Sequence, residues 1–323
     1  MTEYVAHEAV ESSLDWSTLI EQLRHWFRED GVQAPPRQVL SIPAPEEAAS
    51  KDDGSLLIMP AWLPGKNIGV KVVTFCPWNA ENGQSTINAG YMLFDGATGK
   101  LGSVLDGDAL TVRRTAASSA LAADYLARKD ASRHLIVGTG QLAVAVGLAY
   151  AKVRPRTKVS VWGRNPEKAK QIVLQLAQAG LNAAVAGDLQ GACEGADIVS
   201  TVTASKEPLV KGTWLKPGSH LDLIGAFRAD MRESDDQAMN QADIFVDGRD
   251  GALLAGDLSQ PLDAGIINEA DVKADLHELC SGKHPGRTED GAFTVFKSAG
   301  LSLEDLAAAV QAQSALNEGN QRD

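Results

Sequence analysis

The sequence is poor in cysteine, in basic residues and in long apolar runs. Its three cysteines, Cys76, Cys193 and Cys280, are widely spaced, which argues against zinc or a disulfide framework and favours a reducing cytoplasm. The six histidines also lack metal-ligand spacing, so we predict no metal. No apolar run is long enough to cross a bilayer, and the N-terminus is unlike a signal peptide. The net charge of −12 disfavours nucleic-acid and membrane partners, although a local group of cations could bind a small anion.

The first third of the chain has the pattern of an α+β domain. Apolar residues at helical spacing predict an amphipathic helix over residues 17–29, and the Pro/Ala/Glu-rich stretch Ala34–Asp53 is predicted to be a loop. Four short apolar runs then predict antiparallel strands, and a turn sequence at Asp95–Gly99 predicts a hairpin between the last two. These runs are Leu56–Met59, Val70–Phe75, Tyr91–Phe94 and Leu101–Leu105.

From about residue 109 the pattern changes to a helix followed by alternating strands and helices. This alternation predicts a doubly wound parallel sheet of the Rossmann type, so the fold class is α/β with an additional α+β domain. A capped helix from Ser302 to about Leu316 follows the last predicted strand. At 323 residues we expect two domains: 116–299 would bind the nucleotide, and 1–115, with 300–323 returning, would bind substrate and form the dimer.

A glycine-rich turn follows the first strand of the predicted Rossmann domain. It reads Gly138-Thr-Gly140-Gln141-Leu142-Ala143 after the apolar run His134–Val137. In such a turn the first glycine permits the bend, the second lets the backbone approach a pyrophosphate, and the alanine lets the helix pack closely. We therefore predict a dinucleotide site that includes Gly138, Gly140, Gln141 and Leu142.

The next predicted strand ends in Gly163-Arg164-Asn165. An NAD site commonly has an acidic residue here for the ribose hydroxyls, whereas a cation favours the 2′-phosphate of NADP(H). Arg164 and Asn165 therefore predict NADPH as the cofactor, with NADH possible but weaker. Lys168, one turn into the following helix, is either a second phosphate contact or a solvated helix lysine.

Several basic residues of the first region stand where a protein core would not need them. Arg37 follows two prolines, Lys71 lies within an otherwise apolar strand, and Arg113 and Arg114 lie on the helix that follows. Guanidinium and ammonium groups that converge from separate elements would hold a carboxylate well. The alternative to such a site is that Lys71 is a strand residue facing solvent and that Arg114 is a charge on the helix surface.

These same segments resemble the ornithine cyclodeaminase/mu-crystallin family. The matching pieces are Pro36-Arg37, Gly69-Val-Lys71-Val-Val-Thr74, Leu110-Thr-Val-Arg-Arg114, Gly138–Ala143, Asp197–Thr203 and Thr294-Val-Phe-Lys297-Ser-Ala-Gly300. The resemblance implies that Arg37, Lys71 and Arg114 bind the substrate carboxylate, and that Arg114 also contacts the cofactor. It further implies that Thr86, Thr203 and Lys297 lie near the cofactor, and that the protein is a homodimer built through its first domain.

One departure from the family pattern distinguishes among its activities. Where the cyclodeaminases have an aspartate that handles the substrate's amino groups, this chain has Gly225-Ala226-Phe227. Phe227 cannot pair with an ammonium, so the sequence looks like the Δ1-pyrroline-2-carboxylate (ketimine) reductase branch, which would make it an enzyme of proline or pipecolate metabolism. Lys71 is the first candidate for a proton donor and Asp230 the second.

The alternatives are an ornithine cyclodeaminase, an alanine-dehydrogenase-like enzyme and a mu-crystallin-like NADP-dependent binding protein. The residues leave the size of the substrate ring open.

Overall fold

The computed structural model describes residues 3–48 and 51–320. The chain forms two compact units. The first unit comprises the residues up to Arg114 together with those from Leu301 onward, and the second unit comprises Thr115–Gly300. Among the described residues, no helix combines the length and apolar character needed to span a bilayer.

The first unit is built on a six-stranded sheet with the spatial order β1-β6-β5-β4-β3-β2. Neighbouring strands from β2 to β6 are antiparallel, which confirms the predicted strand pairing and hairpin. The short β1 pairs parallel to β6 and was not predicted, because three residues are too few to show a period. The strands are β1 (Glu3–Val5), β2 (Gln38–Ile42), β3 (Gly54–Leu63), β4 (Asn67–Phe75), β5 (Ile87–Asp95) and β6 (Leu101–Asp106).

The prediction that Ala34–Asp53 is entirely a loop is wrong, because β2 lies within it. This strand pairs with β3 at the edge of the sheet, with Gln38 opposite Ile58. All but one of its residues are exposed, so the strand lacks the alternation of buried and exposed residues by which strands are recognised. Edge pairing, which only the folded sheet provides, determines its conformation.

Helices cover one face of this sheet. They are α1 (His7–Ser13), α2 (Trp16–Arg28), the first part of α3 (Gly107–Leu126) and the C-terminal helix (Ser302–Asn320). The predicted apolar stripe of α2 is buried, and the Asp15 side chain caps the helix by accepting a hydrogen bond from the Thr18 amide. The C-terminal helix packs against α2, β3 and β4, which places its first turn beside the sheet.

The second unit contains an eight-stranded, fully parallel sheet, as the doubly wound prediction requires. The spatial order is β13-β12-β14-β11-β10-β7-β8-β9. Successive strands are therefore added on one side of β7 as far as β9 and on its other side from β10 onward. Ligands of such sheets bind at the carboxyl ends of the strands beside this change of side. The strands are β7 (Arg133–Val137), β8 (Lys158–Trp162), β9 (Ala183–Val185), β10 (Ile198–Thr201), β11 (His220–Leu223), β12 (Asp243–Val246), β13 (Val272–Asp275) and β14 (Thr294–Lys297).

Short helices connect these strands. They provide the predicted alternation of strands and helices. The helices are α4 (Gln141–Val153), α5 (Pro166–Gln178), α6 (Leu189–Gly195), α7 (Asp236–Asn240), α8 (Arg249–Ala252), α9 (Gly256–Asp263) and α10 (Leu276–Cys280), and the C-terminal helix of the first unit is α11.

Candidate active site

The glycine-rich turn has the geometry that a pyrophosphate site needs. Gly138 directly follows β7 at φ +129°, and a Cβ added there would lie 2.8 Å from the Val202 carbonyl oxygen. Gly140 is the exposed N-cap residue of α4, and a Cβ there would meet nothing within 4 Å. The space that a side chain would fill at Gly140 therefore lies open beside the amides of the helix N-terminus, which attract phosphate. Ala143 is fully buried, as close packing requires.

The side chains that follow the turn lie on the first turn of α4. Gln141 is exposed and Leu142 is half-buried. Both therefore lie at the same helix end as Gly140.

The residues after β8 stand at the same end of the sheet. A Cβ at Gly163 would lie 2.5 Å from the Thr139 methyl group, so the two turns pack together. Arg164 and Lys168 are exposed. The Asn165 side chain accepts hydrogen bonds from the amides of Glu167 and Lys168 and so caps α5. Its carbonyl oxygen therefore has a structural task, while Arg164 remains the accessible cation at the strand end.

A buried carboxylate, that of Glu233, joins the ends of β10 and β11. Its Oε1 accepts hydrogen bonds from the Thr203 amide (2.7 Å) and hydroxyl (2.8 Å). Its Oε2 accepts from the amides of Gly225 (2.7 Å) and Ala226 (3.1 Å). Burial, reinforced by the neighbouring Asp257 carboxylate, raises the pKa of Glu233. Glu233 was not predicted as a site residue, because nothing in the sequence distinguishes it from an acid on the protein surface.

The contacts of Lys297 lie within the protein interior. The residue is fully buried, and its ammonium lies 3.0 Å from Asp257 Oδ2 and 3.2 Å from the Leu223 carbonyl oxygen. Asp257 in turn accepts a hydrogen bond from the Glu233 amide. These partners give Lys297 a part in holding the carboxyl ends of the strands, and its position near the cofactor stays a prediction.

Phe227 follows Gly225 and Ala226, whose amides donate hydrogen bonds to Glu233. It is half-buried. Gly225, two residues before it, packs so closely on Thr203 that an added Cβ would lie 2.0 Å from the Thr203 carbonyl oxygen. Asp230, the second candidate proton donor, is exposed and forms ion pairs with Arg228 and Lys206. These surface pairs leave Lys71 the stronger candidate.

Lys71 is buried in the first unit, so the alternative of a solvent-facing strand lysine is excluded. It is 1% exposed and lies on β4 directly opposite Tyr91 of β5. Its ammonium lies 2.8 Å from Asp305 Oδ1 and 3.4 Å from the Thr111 hydroxyl. Burial and the positive charge of Arg114 lower the pKa of Lys71 to about 8, although Asp305 opposes this shift. A lysine with this pKa can both bind an anion and give up a proton near neutral pH.

Arg114 converges on the same carboxylate. The residue is 5% exposed, which also excludes the helix-surface alternative. Its Nε donates to Asp305 Oδ1 at 2.8 Å, and a terminal nitrogen donates to Glu304 Oε2 at 2.7 Å. Glu304 and Asp305 were missed as site residues, because two acids in the first turn of a helix are also the ordinary pattern of a helix start.

Arg37 and Thr86 belong to the same unit, and both are half-buried. The charge of Arg37 contributes to the lowered pKa of Lys71. Thr86 precedes β5, and its carbonyl oxygen accepts a hydrogen bond from the Cys76 amide. Arg113 lies apart from this group, stacked over the Trp16 ring at 4.3 Å and paired with Glu11.

Curated relatives match almost the whole chain. A Δ1-pyrroline-2-carboxylate reductase from Paracoccus denitrificans is 35% identical over 94% of both chains. The ketimine reductase mu-crystallin of Rattus norvegicus is 35% identical over 87% of this chain and 84% of its own length.

Solved structures of similar proteins have the same fold. The Thermococcus litoralis Δ1-pyrroline-2-carboxylate reductase in complex with NADH and L-proline has a TM-score of 0.91 and 29% identity, over 99% of this chain and 98% of its own. An archaeal alanine dehydrogenase dimer with bound NAD has a TM-score of 0.90 and 30% identity, over 99% and 97%. The sequence profile of the ornithine cyclodeaminase/mu-crystallin family matches residues 3–320. The chain belongs to the ornithine cyclodeaminase/mu-crystallin family.

Proposed function

We propose that this protein is an NADPH-dependent reductase of a cyclic imine carboxylate. The substrate is Δ1-pyrroline-2-carboxylate, Δ1-piperideine-2-carboxylate or both, and the product is L-proline or L-pipecolate. The observation that carries the proposal is a group of buried cations in the first unit: Lys71 and Arg114 converge on Asp305 Oδ1, each at 2.8 Å. The named activities of the relatives support the same reaction class.

The first unit binds the substrate's carboxylate. Arg37, Lys71 and Arg114 supply three cations, and guanidinium groups recognise a carboxylate through paired hydrogen bonds. Fixing the carboxylate orients the adjacent C=N carbon. The imine nitrogen takes up a proton, from solvent or from Lys71, because the iminium is the better hydride acceptor. Phe227 provides an apolar contact for the methylene groups of the ring.

The second unit binds the dinucleotide. The pyrophosphate turn is formed by Gly138, Gly140, Gln141 and Leu142, and Thr203 is a cofactor contact beside it. The 2′-phosphate is bound by Arg164 together with Asn165 and Lys168. Thr86 and Arg114 of the first unit are further cofactor contacts in this proposal. When bound, the reduced nicotinamide supplies the hydride that the imine carbon accepts. Cells keep NADPH reduced, which fits a net reduction in the cytoplasm.

Three other activities are the alternatives. Phe227 and Arg164 disfavour an ornithine cyclodeaminase, which requires a carboxylate near the substrate's amino groups and recycles its bound NAD. The similarity to an archaeal alanine dehydrogenase keeps reductive amination of a small 2-oxo acid as the second candidate. Retention of the three cations disfavours a pure binding protein.

The decisive experiment measures NADPH oxidation with each cyclic imine and with pyruvate plus ammonia, and measures ammonia release from ornithine with NAD. We expect oxidation with one or both imines. Lys71→Ala and Arg114→Ala should each lower kcat/KM about 100-fold or more, because the loss of a buried charged contact costs on the order of 3 kcal/mol. Lys216→Ala is the matched control, since it removes a lysine paired with Asp197 at 2.6 Å in the second unit. Turnover of pyruvate plus ammonia, with neither imine reduced, would replace the proposal with the alanine-dehydrogenase alternative.

A further inference from the structure

Asp305 lies at the centre of the cationic group in the first unit. Its Oδ1 accepts one hydrogen bond from the Lys71 ammonium and one from Arg114 Nε, both at 2.8 Å. Glu304, its neighbour in α11, accepts from the far end of the same guanidinium at 2.7 Å. Both acids are fully buried. The side chains of Lys71 and Arg114, which carry like charges, are therefore held together by one oxygen atom of Asp305. The guanidinium of Arg114 is bound by Asp305 at one end and by Glu304 at the other.

The backbone is arranged so that α11 can deliver this acid. Gly69 precedes Lys71 by two residues and so shares its face of β4. A Cβ at Gly69 would lie 1.9 Å from the Tyr91 hydroxyl and 2.9 Å from Leu306 of α11. The absence of a side chain at Gly69 therefore lets Tyr91 and the first turn of α11 close over the strand beside the Lys71 ammonium.

Asp305 is also poorly satisfied as a purely structural group. Within residues 3–48 and 51–320, neither its Oδ2 nor the Tyr91 hydroxyl has a hydrogen-bond partner, although both atoms are buried. A buried polar atom without a partner lowers the stability of the fold. Such a cost is typical of groups retained for function.

We propose that Asp305 is a positioning residue for the reductase. It fixes Lys71 and Arg114 in the arrangement that receives the substrate carboxylate and keeps Lys71 protonated at neutral pH. This inference rests on the proposed function for its kinetic part only. The groups that act on Lys71 or lie opposite it are Arg114, Asp108 and Thr111 of α3, Tyr91 of β5, Arg37 before β2 and Asp305 of α11. Glu304 of α11 pairs with Arg114. Removal of the Asp305 charge would leave Lys71 beside Arg114 and Arg37 without its bonded carboxylate.

The test compares the wild type with Asp305→Asn and Asp305→Glu. Lysines are labelled with 13C at Cε, and the Lys71 resonance is identified by its loss in Lys71→Arg. In Asp305→Asn we expect the titration of Lys71 to move to lower pH by roughly 1–3 units, the range typical of a close ion pair. The alkaline limb of kcat/KM should move with it, and kcat/KM should fall at least tenfold, mainly through KM. Asp197→Asn makes the same change at the Lys216 pair and should alter neither the titration of Lys71 nor kcat/KM.

A folded Asp305→Asn variant with wild-type kcat/KM and an unmoved Lys71 titration would overturn the proposal. If Asp305→Asn does not fold, Asp305→Glu decides, since it retains the charge and moves it by one methylene. A Lys71 titration near that of the wild type with a tenfold loss of kcat/KM supports positioning, whereas full activity contradicts it. If the wild type reduces neither imine, the proposed function fails, yet the Lys71 resonance still shows whether Asp305 controls its protonation.

Discussion

Lys71 and Asp305 form a buried ion pair of 2.8 Å whose lysine nevertheless has its pKa lowered to about 8. Burial and the charge of Arg114 disfavour the ammonium by more than the aspartate favours it. The protonation of Lys71 is therefore sensitive to pH just above neutrality, where an ordinary lysine stays fully charged.

This sensitivity predicts the pH dependence of activity. Because Lys71 must be protonated to hold a carboxylate, kcat/KM should decrease above pH about 8. In Lys71→Arg the residue stays charged, so any decrease that remains belongs to another group, such as the imine itself. Steady-state rates from pH 6 to pH 10 test this. An identical limb in both proteins would assign the titration to a group other than Lys71.

Arg164 predicts the cofactor preference. Arg164→Asp removes a charge-assisted bond to the 2′-phosphate and adds repulsion, so NADPH binding should weaken by roughly 2–4 kcal/mol while NADH binding changes far less. Fluorescence titration with both cofactors measures this. Arg156→Asp is the matched control, because this exposed arginine precedes β8 whereas Arg164 follows it. Retention of NADPH preference in Arg164→Asp would place phosphate recognition elsewhere.

Phe227 predicts the choice of reaction. The wild type should release no detectable ammonia from ornithine with NAD, because the phenyl ring cannot pair with an ammonium. Phe227→Asp should lower the reductase kcat/KM by introducing a poorly paired charge beside the substrate ring, whereas Phe227→Leu should retain most of it. Ammonia and NADPH assays on the three proteins provide the comparison. Steady ammonia release by the wild type would contradict this assignment.

Asp222 predicts the pH dependence of stability. It is fully buried and accepts hydrogen bonds from the hydroxyls of Tyr150, Ser200 and Ser119. Burial raises its pKa from 3.8 to about 6, so the folded state binds more protons than the unfolded state between these values. Relative to Asp222→Asn, the wild type should lose roughly 2–3 kcal/mol of unfolding free energy as the pH rises through this window.

Urea denaturation of both proteins at pH 4, 5, 6 and 7 measures that difference. Asp197, whose pKa is lowered chiefly by Lys216 against the effect of burial, should show the opposite slope. A constant difference between the wild type and Asp222→Asn would show that Asp222 has the same pKa in both states.

The outer face of the first unit's sheet predicts a homodimer. The face turned away from Gly69 and Lys71 carries apolar side chains that are only half-buried, and such patches are typical of interfaces. They are Leu56, Ile58, Trp62, Ile68, Val70, Val72, Met92, Phe94 and Val104. Sedimentation should show a dimer for the wild type and a monomer for Ile58→Asp, with Leu254→Asp, an exposed leucine of the second unit, as the control. A monomeric wild type would contradict this proposal.

The order of the strands from β7 to β12 in the second unit was predictable because their signals are local. An apolar strand followed by Gly138 and Gly140 has few other ways to fold, and the alternation of apolar strands and helices requires parallel pairing. β13 and β14 were not identified as strands. The insertion of β14 between β11 and β12 depends on pairing between distant segments, which no local period records.

The sequence by itself determined the fold class, the glycine turn and the identity of the cations. Only the tertiary structure decided what those cations contact. Lys71 and Asp305 are 234 positions apart, and Lys297 and Asp257 are 40 apart, so neither pair has a local signature. The physical reason is that the properties of a charge depend on its burial and its neighbours. Lys71 and Lys297 therefore look alike in the sequence, yet one joins a cluster of cations and acids in the first unit and the other anchors strand ends in the second.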